Sequence, residues 1–213
     1  MEGISAFKQL EPNNLRNEAI EQVEEQLPYF VSSDTFDKVM VKKKNEDQHT
    51  TAFCVFMMKV QDKFTFMPQT AQKGSYKIDI AIYNKASNEI IFTIEAKVLP
   101  TPAGTKKNPR AKSEYVFSNK GEAGAAMQRF RNGFHGLDSS ETYLPESGII
   151  AYIKDNDFDF WLKEINQWII EAAWNKSEQL KKVYFKNTAK LVSQHNRYGS
   201  PFTLHHFWVK VKS

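Results

Sequence analysis

Two neighbouring segments in the middle of the chain alternate apolar and polar residues. Isoleucines occupy every second position of KIDIAI (77–82), and apolar residues occupy every second position of FTIEAKV (92–98). The polar stretch NKASN (84–88) between them is typical of a turn. Because successive side chains of a strand point to opposite faces of a sheet, the two segments predict an antiparallel hairpin with one apolar face.

The register of this hairpin brings three charged residues together. If the turn is centred near Ser87, Asp79 lies opposite Glu95, and Lys97 lies on the same face. The isoleucines and Phe92 then share the other face, whereas a shift of one residue would move the apolar row to the wrong face. We therefore expect two carboxylates and an ammonium group on one side of a sheet whose other side is core. Carboxylate oxygens of this kind suit Mg²⁺.

Apolar periodicity along the rest of the chain predicts the elements around the hairpin. A first helix is predicted over 14–27, and Pro28 is expected to end it. The apolar segment after Asn45 predicts a buried helix up to Val60, although its Phe, Val and Cys residues also suit a strand. Further predictions are a short strand at 64–66, a long loop at 100–118, a small-residue helix at 120–134, a buried strand at 147–153, an amphipathic helix at 158–174, and tail strands at 182–185, 189–194 and 202–211. The fold class is therefore α/β.

Composition narrows the class of protein. The chain of 213 residues is long enough to bury the core of one domain, and its hydrophobic fraction of 41% with 25% charged residues is typical of a globular protein. Cys54 is the only cysteine, which excludes an internal disulfide and indicates a reducing, cytoplasmic setting. We expect no membrane association, because no apolar run reaches transmembrane length and the beginning of the chain, MEGISAFKQLEPNN, lacks the apolar centre of a signal peptide.

The chain carries a small positive net charge. A net charge of +4 permits a polyanionic partner without requiring one. Basic residues cluster at 42–44, 106–112, 129–131 and 181–182. Such clusters are usually solvated surface, and they would form a nucleic-acid footprint only if they surrounded the carboxylate face of the hairpin.

The predicted element order is helix, strand, strand, strand, helix, strand, with Asp79 in KIDIAI and the Glu95-Ala96-Lys97 triplet in FTIEAKV. In this arrangement the chain resembles the PD-(D/E)XK nuclease superfamily, which has the restriction-endonuclease-like fold. The resemblance covers about 45–153 and implies an αβββαβ core with a central mixed sheet flanked by helices. Residues 1–44 and 154–213 would then be elaborations of a single domain over 1–213, adding an N-terminal helix and a C-terminal helix with strands. The proline that often precedes the first Asp of the family is replaced by Ile78.

The resemblance implies a site for one or two Mg²⁺ ions, for which Mn²⁺ is expected to substitute. Asp79, Glu95 and the Ala96 carbonyl would hold the metal, and Lys97 would orient or help to deprotonate the attacking water. The E-x-K triplet alone carries little weight, since it occurs by chance in most proteins. Its combination with the acid on the preceding strand, the apolar reverse face of the hairpin and the element order favours a nuclease-type site.

The resemblance also adds residues around this set, with Glu46 and Gln128 in supporting roles and with Lys120, Arg129 and Arg131 in contact with nucleic acid. The chain alone equally allows Glu46 to be a favourable acid in the first turn of a helix. Ordinary surface exposure is the alternative for the residues of the following helix.

These expectations leave three functions open. The first is a metal-dependent nuclease, in its most specific form a DNA endonuclease in defence against foreign DNA, with a homodimer or a partner subunit as a way to cut both strands. The second is a catalytically inactive protein of the same fold that binds nucleic acid or a partner protein. The third is an unrelated α/β interaction module whose hairpin carries salt bridges. The intact Asp79, Glu95 and Lys97 favour the first, because a retired site has no physical need for all three. DNA versus RNA and end versus internal cutting stay open.

The five histidines have no metal-ligand spacing such as H-x-x-x-H on one helix. His205 and His206 are neighbours on a predicted strand and should point to opposite faces of the sheet. Structural or surface roles are therefore expected for the histidines, with one alternative. His195, together with Ser193 and Arg197, could line a substrate groove.

Overall fold

A computed structural model describes residues 12–41, 46–101, 110–118 and 124–211 of the chain. Its α-helices are α1 (Pro12–Val31), α2 (Asp34–Val41), α3 (Glu46–Val60), α4 (Arg110–Tyr115), α5 (Ala126–Arg131) and α6 (Phe158–Glu171). Its strands are β1 (Phe64–Ala71), β2 (Lys77–Asn84), β3 (Glu89–Leu99), β4 (Glu146–Ile153), β5 (Lys181–Phe185), β6 (Thr188–Arg197) and β7 (Ser200–Lys210). A short 3-10 helix, Lys176–Glu178, follows α6.

The strands form one seven-stranded mixed sheet in the order β1-β2-β3-β4-β7-β6-β5. The first three strands run antiparallel as a meander, while β3, β4 and β7 are parallel to one another. Strands β6 and β5 are again antiparallel to their neighbours. Parallel neighbours need a crossover, and the crossover from β3 to β4 contains α4 and α5. The predicted α/β class, the mixed sheet and the tail strands are therefore confirmed.

Helices cover both faces of the sheet. Helices α1, α2 and α3 pack on one face, over a core that includes Phe53, Phe66, Phe92 and Ile94. Helices α4, α5 and α6 pack on the other face, over a core that includes Tyr115, Met127, Trp161 and Trp208. As a result β3 is buried at every position after its first residue. The polar side of the predicted hairpin is thus covered by α5 and the segment that follows it.

The alternation of the hairpin agrees with the prediction except at Ile78 and Ile90, since Ile90 was expected on the same face as Phe92. Ile80 and Ile82 share the apolar core with Phe92, whereas Ile78 belongs to the opposite core. Ile90 also belongs to the opposite core, and the pairing of β2 with β3 shifts register between Ile82 and Tyr83. Such a register shift is a β-bulge, in which one extra residue on β3 interrupts the alternation, so the period of two does not hold at the start of this strand.

Pro28 does not end the first helix. Helix α1 continues through it to Val31, so this prediction was wrong. Leu27 and Phe30 are fully buried on either side of the proline, and the Phe30 ring packs edge-to-face on Phe36. Burial of two large apolar side chains offsets the backbone hydrogen bond that proline removes.

Other predicted boundaries moved by several residues. The segment after Asn45 forms helix α3, Glu46–Val60, which excludes the strand alternative. The predicted loop at 100–118 contains the short helix α4. Helix α5 has six residues where a helix over 120–134 was predicted, although 119–123 lie outside the described residues. None of the helices in the described ranges combines the length and apolar character that crossing a membrane would need.

Candidate active site

The β2–β3 hairpin has the register predicted from the sequence. The paired part of the two strands ends at Ile80 and Ile94, and continuing the same register by one residue places Asp79 beside Glu95. The Ala96 amide donates a hydrogen bond of 2.8 Å to Asp79 Oδ2. Gln69 Nε2 donates one of 2.9 Å to Asp79 Oδ1. Both carboxylate oxygens of Asp79 are therefore fixed by neighbours on β1 and β3.

The Lys97 ammonium lies among the oxygen atoms that were predicted to hold a metal. Lys97 Nζ donates a hydrogen bond of 2.6 Å to the Ala96 carbonyl. It lies 3.1 Å from Glu95 Oε1 and 3.9 Å from Asp79 Oδ2. The three predicted ligands thus converge on one point, and a cation occupies that point.

Glu95 is surrounded by cationic and imidazole groups. Arg129 Nη1 donates a hydrogen bond of 2.7 Å to Glu95 Oε1, and His135 Nδ1 lies 3.2 Å from Glu95 Oε2. Burial raises the pKa of the Glu95 carboxyl, but Lys97, His135 and Arg129 outweigh burial and hold that pKa well below its ordinary value. Glu95 therefore stays charged, although its exposed fraction is only 1%.

His135 is the site residue that the sequence did not indicate. It is fully buried in the loop between α5 and β4, and its backbone carbonyl accepts a hydrogen bond of 3.1 Å from Arg197. Gly136 follows with a φ of 86°, and a Cβ at that position would lie 2.9 Å from Arg197 Nη1. The contact joins residues 40 positions apart in a loop without periodicity, so no spacing in the sequence signals it.

Arg197 on β6 holds the loop between α5 and β4 by hydrogen bonds to backbone carbonyls. Its guanidinium also donates to the carbonyls of Phe130 and Leu144, and it lies over the rings of Tyr143 and Phe202. Burial lowers the pKa of Arg197 to about 10. The alternative that Ser193, His195 and Arg197 line a substrate groove is excluded, because all three side chains are buried, and the expected structural role applies to His195.

The other predicted site residues separate into two groups. Arg129 reaches Glu95, whereas Arg131 on the same helix donates to Glu178. The Gln128 side-chain amide pairs with the Ser118 backbone. The predictions for Lys120 and Glu46 are not tested, because Lys120 and the side chain of Glu46 lie outside the described residues.

The donor set fits a hard divalent cation. Two carboxylates and a backbone carbonyl are the oxygen ligands that Mg²⁺ accepts in proteins. In the part of the chain that the structure describes, no group of three or more His, Cys, Asp or Glu side chains is arranged to hold a metal ion. The predicted set has only two such side chains, and Lys97 Nζ stands at its centre. A divalent ion can bind there only if the Lys97 ammonium moves away.

Comparisons with protein-family models, with curated proteins and with solved structures find no match to this chain. The function therefore has to be inferred from the geometry of the site. That geometry is an Asp–Glu pair with a carbonyl, a lysine, an arginine and a histidine around one buried point.

Proposed function

We propose that the protein is a Mg²⁺-dependent nuclease that hydrolyses phosphodiester bonds, with DNA as the expected substrate. The observation that carries the proposal is the convergence of Asp79, Glu95 and the Ala96 carbonyl on one cation position. The order of α3, β1, β2, β3, α5 and β4 supports it, because this is the element order that the resemblance to PD-(D/E)XK nucleases implies. Defence against foreign DNA is the setting in which we expect such an activity.

The residues of the chain divide the work of hydrolysis. Bound Mg²⁺ would neutralise charge on the scissile phosphate and lower the pKa of a coordinated water. Asp79 is held in a fixed orientation by the Ala96 amide and Gln69, so little rearrangement is needed for it to act as a ligand. Glu95 is kept charged by its surroundings and is ready to accept a cation.

Lys97 and Arg129 are the groups that can turn from the carboxylates to the substrate. Once it leaves the three oxygens, the Lys97 ammonium can donate a hydrogen bond to the attacking water or to a phosphate oxygen. Arg129 has a quarter of its side chain exposed, so its guanidinium can contact a phosphate while it remains near Glu95. The charges of Lys97 and Arg129 balance those of Asp79 and Glu95. A divalent ion could replace the Lys97 ammonium beside the carboxylates, and the negative charge of a phosphodiester could then pair with Lys97 or Arg129.

Cleavage of nucleic acid tests the proposal directly. The wild-type protein should cut at least one of duplex DNA, single-stranded DNA or RNA when Mg²⁺ or Mn²⁺ is present. Asp79→Asn and Glu95→Gln should each lower the rate by about 100-fold or more, because each removes a charged ligand. Glu171→Gln is a matched control, since Glu171 forms a surface ion pair with Lys112 away from the site. Wild-type activity in either site variant would contradict the proposal.

A second function is favoured by one specific observation. The Lys97 and Arg129 cations already lie against Glu95 Oε1, so the charge of this carboxylate is balanced without a metal. This arrangement suits an inactive protein of the same fold that binds nucleic acid or a partner protein. Electron paramagnetic resonance of added Mn²⁺ separates the two functions. Binding that Asp79→Asn abolishes supports the nuclease, whereas a wild-type protein that binds no Mn²⁺ at millimolar concentration supports the inactive protein.

A further inference from the structure

A continuous chain of hydrogen bonds crosses the core beneath α5. It runs through six side chains from strands β6 and β7, helix α4 and the 3-10 helix, namely Trp208, Tyr115, His206, Ser193, His195 and Glu178. Successive donor–acceptor distances lie between 2.8 and 3.0 Å. All six residues are almost fully buried. We call this set the buried hydrogen-bond chain.

The first half of the buried hydrogen-bond chain can be satisfied in only one direction. Trp208 Nε1 can only donate, so Tyr115 Oη accepts from it. The Tyr115 hydroxyl must then donate to His206 Nδ1. Burial holds the pKa of His206 well below its ordinary value, so the imidazole is neutral and carries its single proton on Nε2. That proton is donated to Ser193 Oγ.

The second half continues in the same direction. The Ser193 hydroxyl donates to His195 Nε2. Burial also lowers the pKa of His195, which leaves its single proton on Nδ1, and Nδ1 donates to Glu178 Oε1. A carboxylate can only accept, so Glu178 ends the chain at the side opposite to Trp208. The two termini therefore fix one tautomer for each histidine.

Glu178 connects this chain to helix α5. Its Oε1 also accepts a hydrogen bond of 2.8 Å from Arg131 Nε, and Arg131 stacks on Trp174. Its Oε2 accepts from the Asn175 amide. The carboxylate is thus oriented by contacts on both of its oxygens before it binds Arg131.

Helix α5 needs such an external contact. It has only six residues and no side-chain cap at its N-terminal end, and isolated helices of this length are not stable in water. Arg131 and Arg129 lie on this one helix, so the helix that Glu178 holds is the helix that brings Arg129 to Glu95.

We propose that Glu178 is a positioning residue that, through Arg131, holds α5 so that Arg129 lies against Glu95. The buried hydrogen-bond chain orients Glu178 for this contact. The significance for catalysis rests on the proposed function, but the positioning itself does not. Residues 176–208, which lie outside the region that resembles the nuclease core, would then control the geometry of the site.

Nuclear magnetic resonance of the full-length protein with ¹⁵N-labelled histidine and arginine tests the proposal. We expect His195 as the Nδ1–H tautomer and His206 as the Nε2–H tautomer. Glu178→Gln should shift the Arg129 Nε resonance and accelerate amide hydrogen exchange in 127–131 by about tenfold or more. Arg131→Met removes the contacts of α5 with Glu178 and Trp174 but leaves the buried hydrogen-bond chain intact, so it should accelerate the same amides while leaving both tautomers unchanged. Glu171→Gln is the control and should change none of these signals.

The possible outcomes separate the positioning role from the proposed function. Unchanged α5 exchange and an unchanged Arg129 resonance in Glu178→Gln overturn the proposal, and if that variant does not fold, Arg131→Met decides in the same way. Cleavage assays form a second arm, in which Glu178→Gln should lower kcat more than it raises KM. A wild-type protein that cuts no substrate would remove the proposed function and leave the exchange result standing.

Discussion

Lys97 is the residue at which two roles compete. Its ammonium contacts the Ala96 carbonyl and both carboxylates, which is the position that a divalent ion would need. Two cations cannot share this space, because their repulsion at a few ångströms in a buried site costs several kcal/mol. The side chain that would assist hydrolysis is therefore also the group that metal binding must displace.

Replacing Lys97 should separate these roles. In Lys97→Met we expect cleavage to be lost but Mn²⁺ to bind about tenfold more tightly, because the competing ammonium is gone. Without metal the variant should lose about 3 kcal/mol of unfolding free energy, since two buried carboxylates lose a partner. Mn²⁺ titration by electron paramagnetic resonance and urea unfolding measure the two effects, with Lys112→Met as a surface control. Weaker Mn²⁺ binding in Lys97→Met would show that the ammonium does not compete.

At the same scale, the sequence predicted the strand residues of the site and missed the loop residue. Asp79, Glu95 and Lys97 follow from the period of two and from one register. His135 and Arg197 do not, because a loop histidine and a buried guanidinium meet the site only through the path of the chain. Gln128 and Arg131 were assigned to the site from the helix they share with Arg129, but neighbouring positions on a helix point in different directions.

Short elements of this protein depend on polar contacts more than on their own propensity. The 3-10 helix at Lys176–Glu178 carries a capping box in which Glu178 accepts from the Asn175 amide. Burial raises the pKa of Glu178, but His195, Asn175 and Arg131 outweigh burial and lower it to about 2. The contacts that hold the 3-10 helix and α5 in place therefore depend on the negative charge of Glu178.

Acid should weaken this part of the fold. The pKa of Glu178 is lower in the folded state than its ordinary value of 4.5, so the unfolded state binds more protons between those values. The stabilisation is complete above about pH 4.5 and is lost as the pH falls towards 2. We expect Glu178 to contribute about 3 kcal/mol of this loss. Urea unfolding at several pH values should show a shallower acid dependence in Glu178→Gln, and equal slopes in both proteins would contradict the assignment.

Helix ends show why element boundaries were harder to predict than element types. Helices α3 and α6 and the tail strands were identified from apolar periodicity, which reports on the face that will be buried. The end of α1 was misplaced because Pro28 is a local signal, whereas the burial of Phe30 against Phe36 and Phe53 is a tertiary one. The alternation of β3 failed at Ile90 for a similar reason, since the bulge between β2 and β3 depends on how the two strands pair.

At the scale of the whole molecule, the C-terminal strands are part of the central sheet. Strand β7 lies between β4 and β6, and it pairs with every residue of β4. The core on the α4–α6 face contains Leu191, Phe202, Leu204 and Trp208 from this region. The region 154–213 therefore provides packing for the same layer that covers the candidate active site.

A truncated chain tests this dependence. A fragment ending at residue 156 should fail to fold for two reasons. Strand β4 would become an exposed edge strand, and the core on the α4–α6 face would lose the apolar side chains that α6, β6 and β7 contribute. Circular dichroism and the dispersion of amide resonances measure the outcome. A chain of residues 12–213, which keeps every described residue, is the control and should fold. Cooperative unfolding of the short fragment would mean that 45–153 is an independent core.

The sequence by itself determined the α/β class, the hairpin and the register that sets Asp79 against Glu95, because these depend on periodicity and on which face must be apolar. Only the tertiary structure decided what surrounds that pair. The contacts of Arg129 and His135 with Glu95 and the ion pair of Arg131 with Glu178 all join residues far apart in the chain. Such contacts depend on how the layers pack, and no local pattern of side chains encodes that packing.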